Sequence, residues 1–208
     1  GDVIPKIVKV VLDKRPNHSS RFSIPKHCPV CKHDTYKSPE EAIWRCPNIS
    51  CTKQIKGRIQ HFTSKLALDI DGLGEKIIDL LVDQKHLLSI SDIYLLDQDK
   101  LKALEGFGEK SAKKLISAIH KSKTTSFSKF VYGLGIRNVG EYISKLLEKH
   151  FLGDLEKLMN SSEQELESIE GVGPIVAREI TVFFSIDLNK TIIKECFDRG
   201  LAIKDYAL

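Results

Sequence analysis

Residues 101–115 read LKALEGFGEKSAKKL, two short apolar-periodic runs on either side of Gly-Phe-Gly. Counted from the second glycine, Gly108, apolar residues stand four before (Leu104), one before (Phe107), four after (Ala112) and seven after (Leu115). Those offsets predict two helices joined by a tight hairpin, with the central apolar residue plugging the space between them. The phrase recurs as ALDIDGLGEKIIDLL at 67–81, GLGIRNVGEYISKLL at 133–147 and LESIEGVGPIVAREI at 166–180. The closing glycines, Gly74, Gly108, Gly140 and Gly173, are spaced by 34, 32 and 33 residues. At the four offsets the other copies carry Ile70, Ile136 and Ile169, then Leu73, Val139 and Val172. They go on with Ile78, Ser144 and Ala177, then Leu81, Leu147 and Ile180.

Two positions before each closing glycine stand Gly72, Gly106, Asn138 and Gly171. Asparagine is the non-glycine residue that best tolerates a left-handed backbone, so the single exception obeys the same rule. A purely structural helical array is the simpler alternative, since tetratricopeptide and ankyrin repeats share a period near 33. Their signature residues are absent, and four glycine hairpins exceed what helix packing requires. Such a hairpin ends with unpaired N–H groups at the start of its second helix, where glycine lets a phosphate come close and the helix dipole favours it. The expected DNA-contacting residues are therefore Gly72, Gly74, Gly106, Gly108, Asn138, Gly140, Gly171 and Gly173, assisted by the nearby cations Lys76, Lys110 and Arg137. Contacts to backbone phosphates carry little sequence information, and four hairpins suffice to follow two strands of a duplex. A β-branched residue at Gly108 or Gly173 is expected to obstruct the phosphate and to strain any left-handed backbone there.

Upstream, Cys28, Cys31, Cys46 and Cys51 form C-x2-C and C-x4-C pairs separated by fourteen residues. Two such knuckles place four thiolates at the corners of a tetrahedron, the arrangement Zn²⁺ accepts. Pro29 and Pro47 stiffen the turns, and Ala42, Ile43 and Trp44 are expected to form a short strand leading into Cys46. A pair of disulfides is the alternative, disfavoured in a reducing compartment. Four thiolates close the shell, so the zinc is structural rather than catalytic, and His27 and His33 are not needed as substitutes. Cys196, in TIIKECFDRGL, falls on the apolar face of a helix and reads as core.

The net charge of +4 is unevenly spread. Residues 1–58 hold 12 Lys and Arg against 5 Asp and Glu, a balance of +7, which leaves −3 for the other 150 residues. A basic first third suits a polyanion, and the remainder cannot bind one through bulk charge. No apolar run is long enough to span a membrane, and GDVIPKIVKVVLDKR lacks the form of a signal peptide, so a cytoplasmic chain is expected. The 41% hydrophobic content supports a packed core.

These phrases, with GDVIPKIVKVVLDKRP, HCPVC, RCPN, HFTSKLALDIDGLGEKIIDLL and GLGIRNVG, resemble the C-terminal half of bacterial NAD-dependent DNA ligase. The resemblance implies a mainly α fold, with a short β segment at the N-terminus. Residues 1–22 would be the tail of an OB domain, 23–58 a four-cysteine zinc finger, 59–200 a four-motif helix-hairpin-helix domain and 201–208 a C-terminal tail. In that family the whole enzyme carries AMP from NAD on a lysine, with Mg²⁺, and seals single-strand nicks in replication and repair. The K-x-D-G motif of that lysine is absent; the nearest approach is KHDT at Lys32. The chain is thus expected to be a ligase fragment or a detached relative, without the nucleotidyltransferase domain, most of the OB domain, or the BRCT domain expected after KDYAL. Alone it would bind nicked or intact duplex as a nucleoid-associated monomer and catalyse nothing. The competing reading is an autonomous, non-catalytic binding module of DNA repair. The N-terminal strand, too short to form a sheet of its own, favours a piece of something longer. An interaction scaffold without nucleic acid would need a large exposed apolar surface, which the sequence does not show apart from core.

Overall fold

A computed structural model describes residues 3–37 and 42–206. Gly1 and Asp2, Ser38–Glu41 and Ala207–Leu208 lie outside the described residues; they belong to the expected N-terminal β segment, the insert between the knuckles and the expected C-terminal tail. The chain divides into two compact units, Gly1–Pro47 and Asn48–Leu208.

In the first unit, residues 3–11 form no strand, and Val3, Ile4, Ile7 and Val8 are almost fully exposed. The β segment expected there has apolar alternation, but among the described residues no strand pairs with its amides, so residues 3–11 form no regular structure. A single 3-10 turn follows at Leu12–Lys14. Beyond it, two isolated antiparallel bridges, His27 with Asp34 and Tyr36 with Arg45, brace the first knuckle and the approach to the second. The strand expected at Ala42–Trp44 does not form; only the next residue, Arg45, makes a bridge.

In the second unit, each glycine-punctuated segment joins two helices. They are α1 (Thr52–Phe62) and α2 (Glu75–Asp83), α3 (Gln98–Lys102) and α4 (Glu109–Ser122), then α5 (Phe127–Gly133) and α6 (Glu141–Phe151). A connector, α7 (Leu155–Met159), leads to the fourth pair, α8 (Glu163–Glu167) and α9 (Pro174–Ser185). The helices of each pair pack on one another. The periodic positions explain why. Ile70, Leu104, Ile136 and Ile169 are buried, as are Ile78, Ala112, Ser144 and Ala177, and Leu81, Leu115, Leu147 and Ile180. Of the plugs, Leu73, Val139 and Val172 are buried and Phe107 is partly so. Full burial of such side chains is worth about 1.5–3 kcal/mol each. Ser144 is tolerated because its hydroxyl donates to the Gly140 carbonyl, 3.0 Å away.

The chain closes through α10 (Asp187–Asp198). Arg199, just beyond it, donates to the Ser91 hydroxyl at 2.8 Å and to the Asp92 carboxylate at 2.9 Å, and Ser91 donates to Glu195 at 2.6 Å. The segment after α10 is then stapled to the middle of the unit: β1 (Thr124–Thr125) pairs in parallel with β2 (Ala202–Ile203). Leu201 is buried beside this staple.

One tight spot tests the packing. A Cβ on Gly133 would lie 2.9 Å from Leu68 Cδ2, 3.2 Å from Phe62 Cδ2 and 3.3 Å from Ala67 Cβ, all core side chains. Gly133→Ala should therefore destabilise by about 1–3 kcal/mol despite alanine's better helix propensity. Thermal unfolding followed by circular dichroism checks this; an unchanged or raised midpoint would show that the core has slack there.

Candidate metal centre and nucleic-acid interface

The four cysteines converge. The Sγ atoms of Cys28, Cys31, Cys46 and Cys51 lie within 4.8 Å of one another, with Cys31 and Cys46 at 3.5 Å, and all five cysteines are free of disulfides. Four Zn–S bonds of about 2.3 Å directed tetrahedrally separate the sulfurs by about 3.8 Å, so the cluster fits that ion. The first knuckle turns through Lys32, at φ 63°, and is closed by the Lys32 N–H donating to the Cys28 carbonyl and the Cys28 N–H to the His33 carbonyl. Inside it, hydrogen bonds from the backbone at Cys31 and Val30 hold the Cys28 thiol below its ordinary pKa, which favours the thiolate a metal needs. In the second, Cys51 N–H donates to the Asn48 carbonyl and Cys51 opens α1. Neither histidine joins the cluster: His27 Nδ1 lies 2.8 Å from Asp34, and His33 Nδ1 lies 3.3 Å from the Cys31 carbonyl. Cys196 is fully buried, and burial pushes its thiol up to about 12, as befits a core residue.

The hairpins share one backbone. Gly72, Gly106, Asn138 and Gly171 have φ of 95°, 78°, 60° and 93°, all left-handed. The closing glycines do not: Gly74, Gly108, Gly140 and Gly173 have φ between −81° and −87°. The expectation of left-handed strain at Gly108 or Gly173 is thus corrected, because the reversal is completed two residues earlier. Nor does packing demand glycine at the closing positions, since a Cβ on any of the four meets nothing within 4 Å.

Each closing glycine is an N-cap with no side chain satisfying the helix's first N–H groups. Four of the other helices carry a side-chain cap, while α1 and α10, entered through Cys51 and Ile186, do not. Asp97, Ser126, Asp154 and Ser162 each accept from the N–H three residues on, at the starts of α3, α5, α7 and α8. The hairpin amides are thus among the helix ends left without a side-chain cap, and all eight hairpin residues named from the sequence are exposed.

The hairpins associate in two pairs by one rule. Asp71, three before Gly74, meets Lys114, six after Gly108, at 2.6 Å. Arg137, three before Gly140, meets Glu179, six after Gly173, at 3.4 Å. The positions are equivalent and the charges reversed. Lys114 holds the Asp71 carboxyl below its ordinary pKa. Arg137 is therefore shared with Glu179, whereas Lys76 and Lys110 are exposed at the second residue of α2 and α4. At the matching places of α6 and α9 stand Tyr142 and Ile175, 67% and 64% exposed. The Tyr142 ring lies 3.6 Å from a Cβ built on Gly171, so it borders the fourth hairpin. Aligning the repeats two residues past the closing glycine would have flagged both.

Residues 27–52 match the family model of the NAD-dependent DNA ligase C4 zinc finger domain. Residues 64–121 match a SAM-like helix-hairpin-helix tandem and 129–193 a helix-hairpin-helix motif, the division into two pairs that the ion pairs mark. The chain is 42% identical over 203 residues to a DNA ligase of Methylococcus capsulatus, 40% over 201 residues to one of Syntrophobacter fumaroxidans, and 42% over 204 residues to one of a Marinomonas species. Each similarity covers 97% of this chain and 30% of the relative, so the chain spans less than a third of the relatives it matches. No helix among the described residues is long and apolar enough to cross a membrane.

The cysteine geometry predicts about one zinc per chain by elemental analysis. Cys46→Ser should lose it and melt the knuckles, and acidification should release it, because protons compete for the thiolates and affinity falls as pH falls. A folded, metal-free wild-type chain would contradict the assignment.

Proposed function

We propose that the chain is the DNA-clamping part of an NAD-dependent DNA ligase, an enzyme that seals nicks in duplex DNA, and that it holds the backbone without performing the chemistry. The observation that carries the reading is the set of four closing glycines. Neither backbone conformation nor packing asks for glycine there, and a better helix cap would be Ser, Asp or Asn. What glycine provides is approach: the open amides of α2, α4, α6 and α9 donate to a phosphate that a side chain would hold off, α9 with one donor fewer because its first residue is Pro174. Gly72, Gly106, Asn138 and Gly171 turn the chain so that these amides face outward. Lys76 and Lys110 add charge, and Arg137 adds what Glu179 leaves it.

Within this reading, Cys28, Cys31, Cys46 and Cys51 bind a structural Zn²⁺. The modules are an OB tail at 1–22, a finger at 23–58, a helix-hairpin-helix domain at 59–200 and a tail at 201–208. The nucleotidyltransferase and OB domains of the longer enzyme, with NAD and Mg²⁺, supply catalysis. Binding is sequence-tolerant, and the chain is a monomer that acts in the cytoplasm at the nucleoid.

Duplex binding should fall with salt at a slope of about −4 to −5 in log affinity against log salt, for about four to six phosphates engaged. Gly108→Val and Gly173→Val should each weaken binding by about 1–3 kcal/mol with the fold intact and the melting temperature only slightly lowered, since a Cβ there meets nothing within 4 Å but valine is a poorer N-cap than glycine. Lys110→Ala should make the slope shallower by about one. Unchanged affinity in both glycine variants would reduce the hairpins to structural turns and leave the basic residues 1–58 to hold the DNA. Incubation with labelled NAD should give no covalent AMP, because the acceptor-lysine motif is absent; a labelled band would refute that part.

A further inference from the structure

A cleft of about 330 Å³ opens beside the first hairpin and belongs to none of the four amide sites. One wall is Ala67–Asp69, the chain leading into that hairpin; the other is built from the end of α4, β1, the start of α5 and the residue after β2. Lys121, Lys129 and Lys204 line it, together with the hydroxyl-bearing Thr124, Thr125 and Ser126. None of these three lysines has an ion-pair partner among the described residues. Lys123, between them in sequence, is different: its ammonium donates to the Arg199 carbonyl at 2.8 Å and sits 5.8 Å from the Tyr94 ring centroid, so it serves the fold.

The convergence is built by long-range structure. The Lys204 N–H donates to the Thr125 carbonyl at 2.8 Å, which brings a cation from the far end of the chain to the cleft. Three like charges around one opening repel one another, and only Asp69, at φ 50°, opposes them from the wall. Cations and hydroxyls together are the donor set that receives phosphate oxygens. Asp69 is five residues from Gly74, at most about 18 Å of chain. Phosphates recur every ~3.4 Å of axis along one strand, so the cleft is within a few nucleotides of a phosphate held by the first hairpin.

We infer that this cleft is a further phosphate-binding site, one that takes the backbone of the strand held by the first hairpin or the phosphate of a free nucleotide. The first of these sources rests on the DNA-binding reading above. The test uses the 208-residue chain in three variants: Lys121→Gln/Lys129→Gln/Lys204→Gln, Asp69→Asn and Gly108→Val. Duplex affinity is measured against salt by fluorescence anisotropy, and inorganic phosphate and AMP are titrated by NMR. For a DNA phosphate, the triple variant binds more weakly with a slope shallower by about two to three. Asp69→Asn, which tolerates the left-handed backbone, binds several-fold more tightly. For a nucleotide phosphate, DNA binding is unchanged in the triple variant, while phosphate or AMP shifts the cleft resonances of the wild type alone. If neither the triple variant nor Asp69→Asn alters either ligand and Gly108→Val still weakens DNA, the cleft is no site and the hairpin reading stands. If Gly108→Val is silent as well, both fail.

Discussion

To send the second helix of each hairpin back along the first, the backbone passes through a left-handed conformation two residues before the closing glycine. Gly72, Gly106, Asn138 and Gly171 supply it, with φ between 60° and 95°, and the rest of the second unit depends on it. Because the reversal is finished there, the following apolar residue can drop between the helices, and Leu73, Val139 and Val172 are buried. Because it is finished there, the closing glycine returns to ordinary φ and starts the second helix with its first amides outward. One local constraint thus gives both the packing inside each motif and the donors outside it.

The two halves of the chain reach order by different means. In the second unit, burial of periodic apolar residues supplies the driving force, and the Arg199–Ser91–Asp92 contacts and the β1–β2 pairing tie its end to its middle. The first has almost no core, with Cys28 its one buried residue among those described. A segment with so little apolar burial cannot offset its chain entropy alone, and a metal is the usual remedy at that size. The hydrogen bonds that depress the Cys28 thiol belong to the same solution, since they prepare the thiolate before the ion arrives.

How much was legible in the sequence follows from the range of each interaction. The hairpins were readable because all their determinants lie within fifteen residues and occur four times, so that even Asn138 declared its conformation. The cysteine knuckles were readable because four ligands at metal-binding spacings lie between Cys28 and Cys51. What escaped was set by partners far away or missing. The alternation of Val3–Val11 reads as a strand, yet strand formation depends on a neighbour that the alternation does not name. Likewise, nothing near Lys204 announces Thr125, and nothing near Arg199 announces Ser91. The Asp71–Lys114 and Arg137–Glu179 pairs were visible only in principle, once the repeats are aligned two by two.

On the proposed function, the reversed ion pairs bear on how a region of net charge −3 would handle a polyanion. In each pair of hairpins one charge at the turn is matched by an opposite charge on the neighbouring second helix, so these residues orient motifs and add little to the field outside. The field at the turns then comes chiefly from amides at helix starts, whose influence fades within the first turn. Exposed charges farther off are screened over about 8 Å at physiological salt, so the distant carboxylates that make the region acidic would weigh little at a phosphate brought against Gly108. The two pairs are not equivalent in this respect. The first sets Lys76 and Lys110 beside its amides, and the second sets Tyr142 and Ile175, which offer apolar surface where a cation would otherwise stand. On the proposed function, salt-dependent attraction is strongest at the first pair, while the second contributes amides and apolar contact area that depend less on salt.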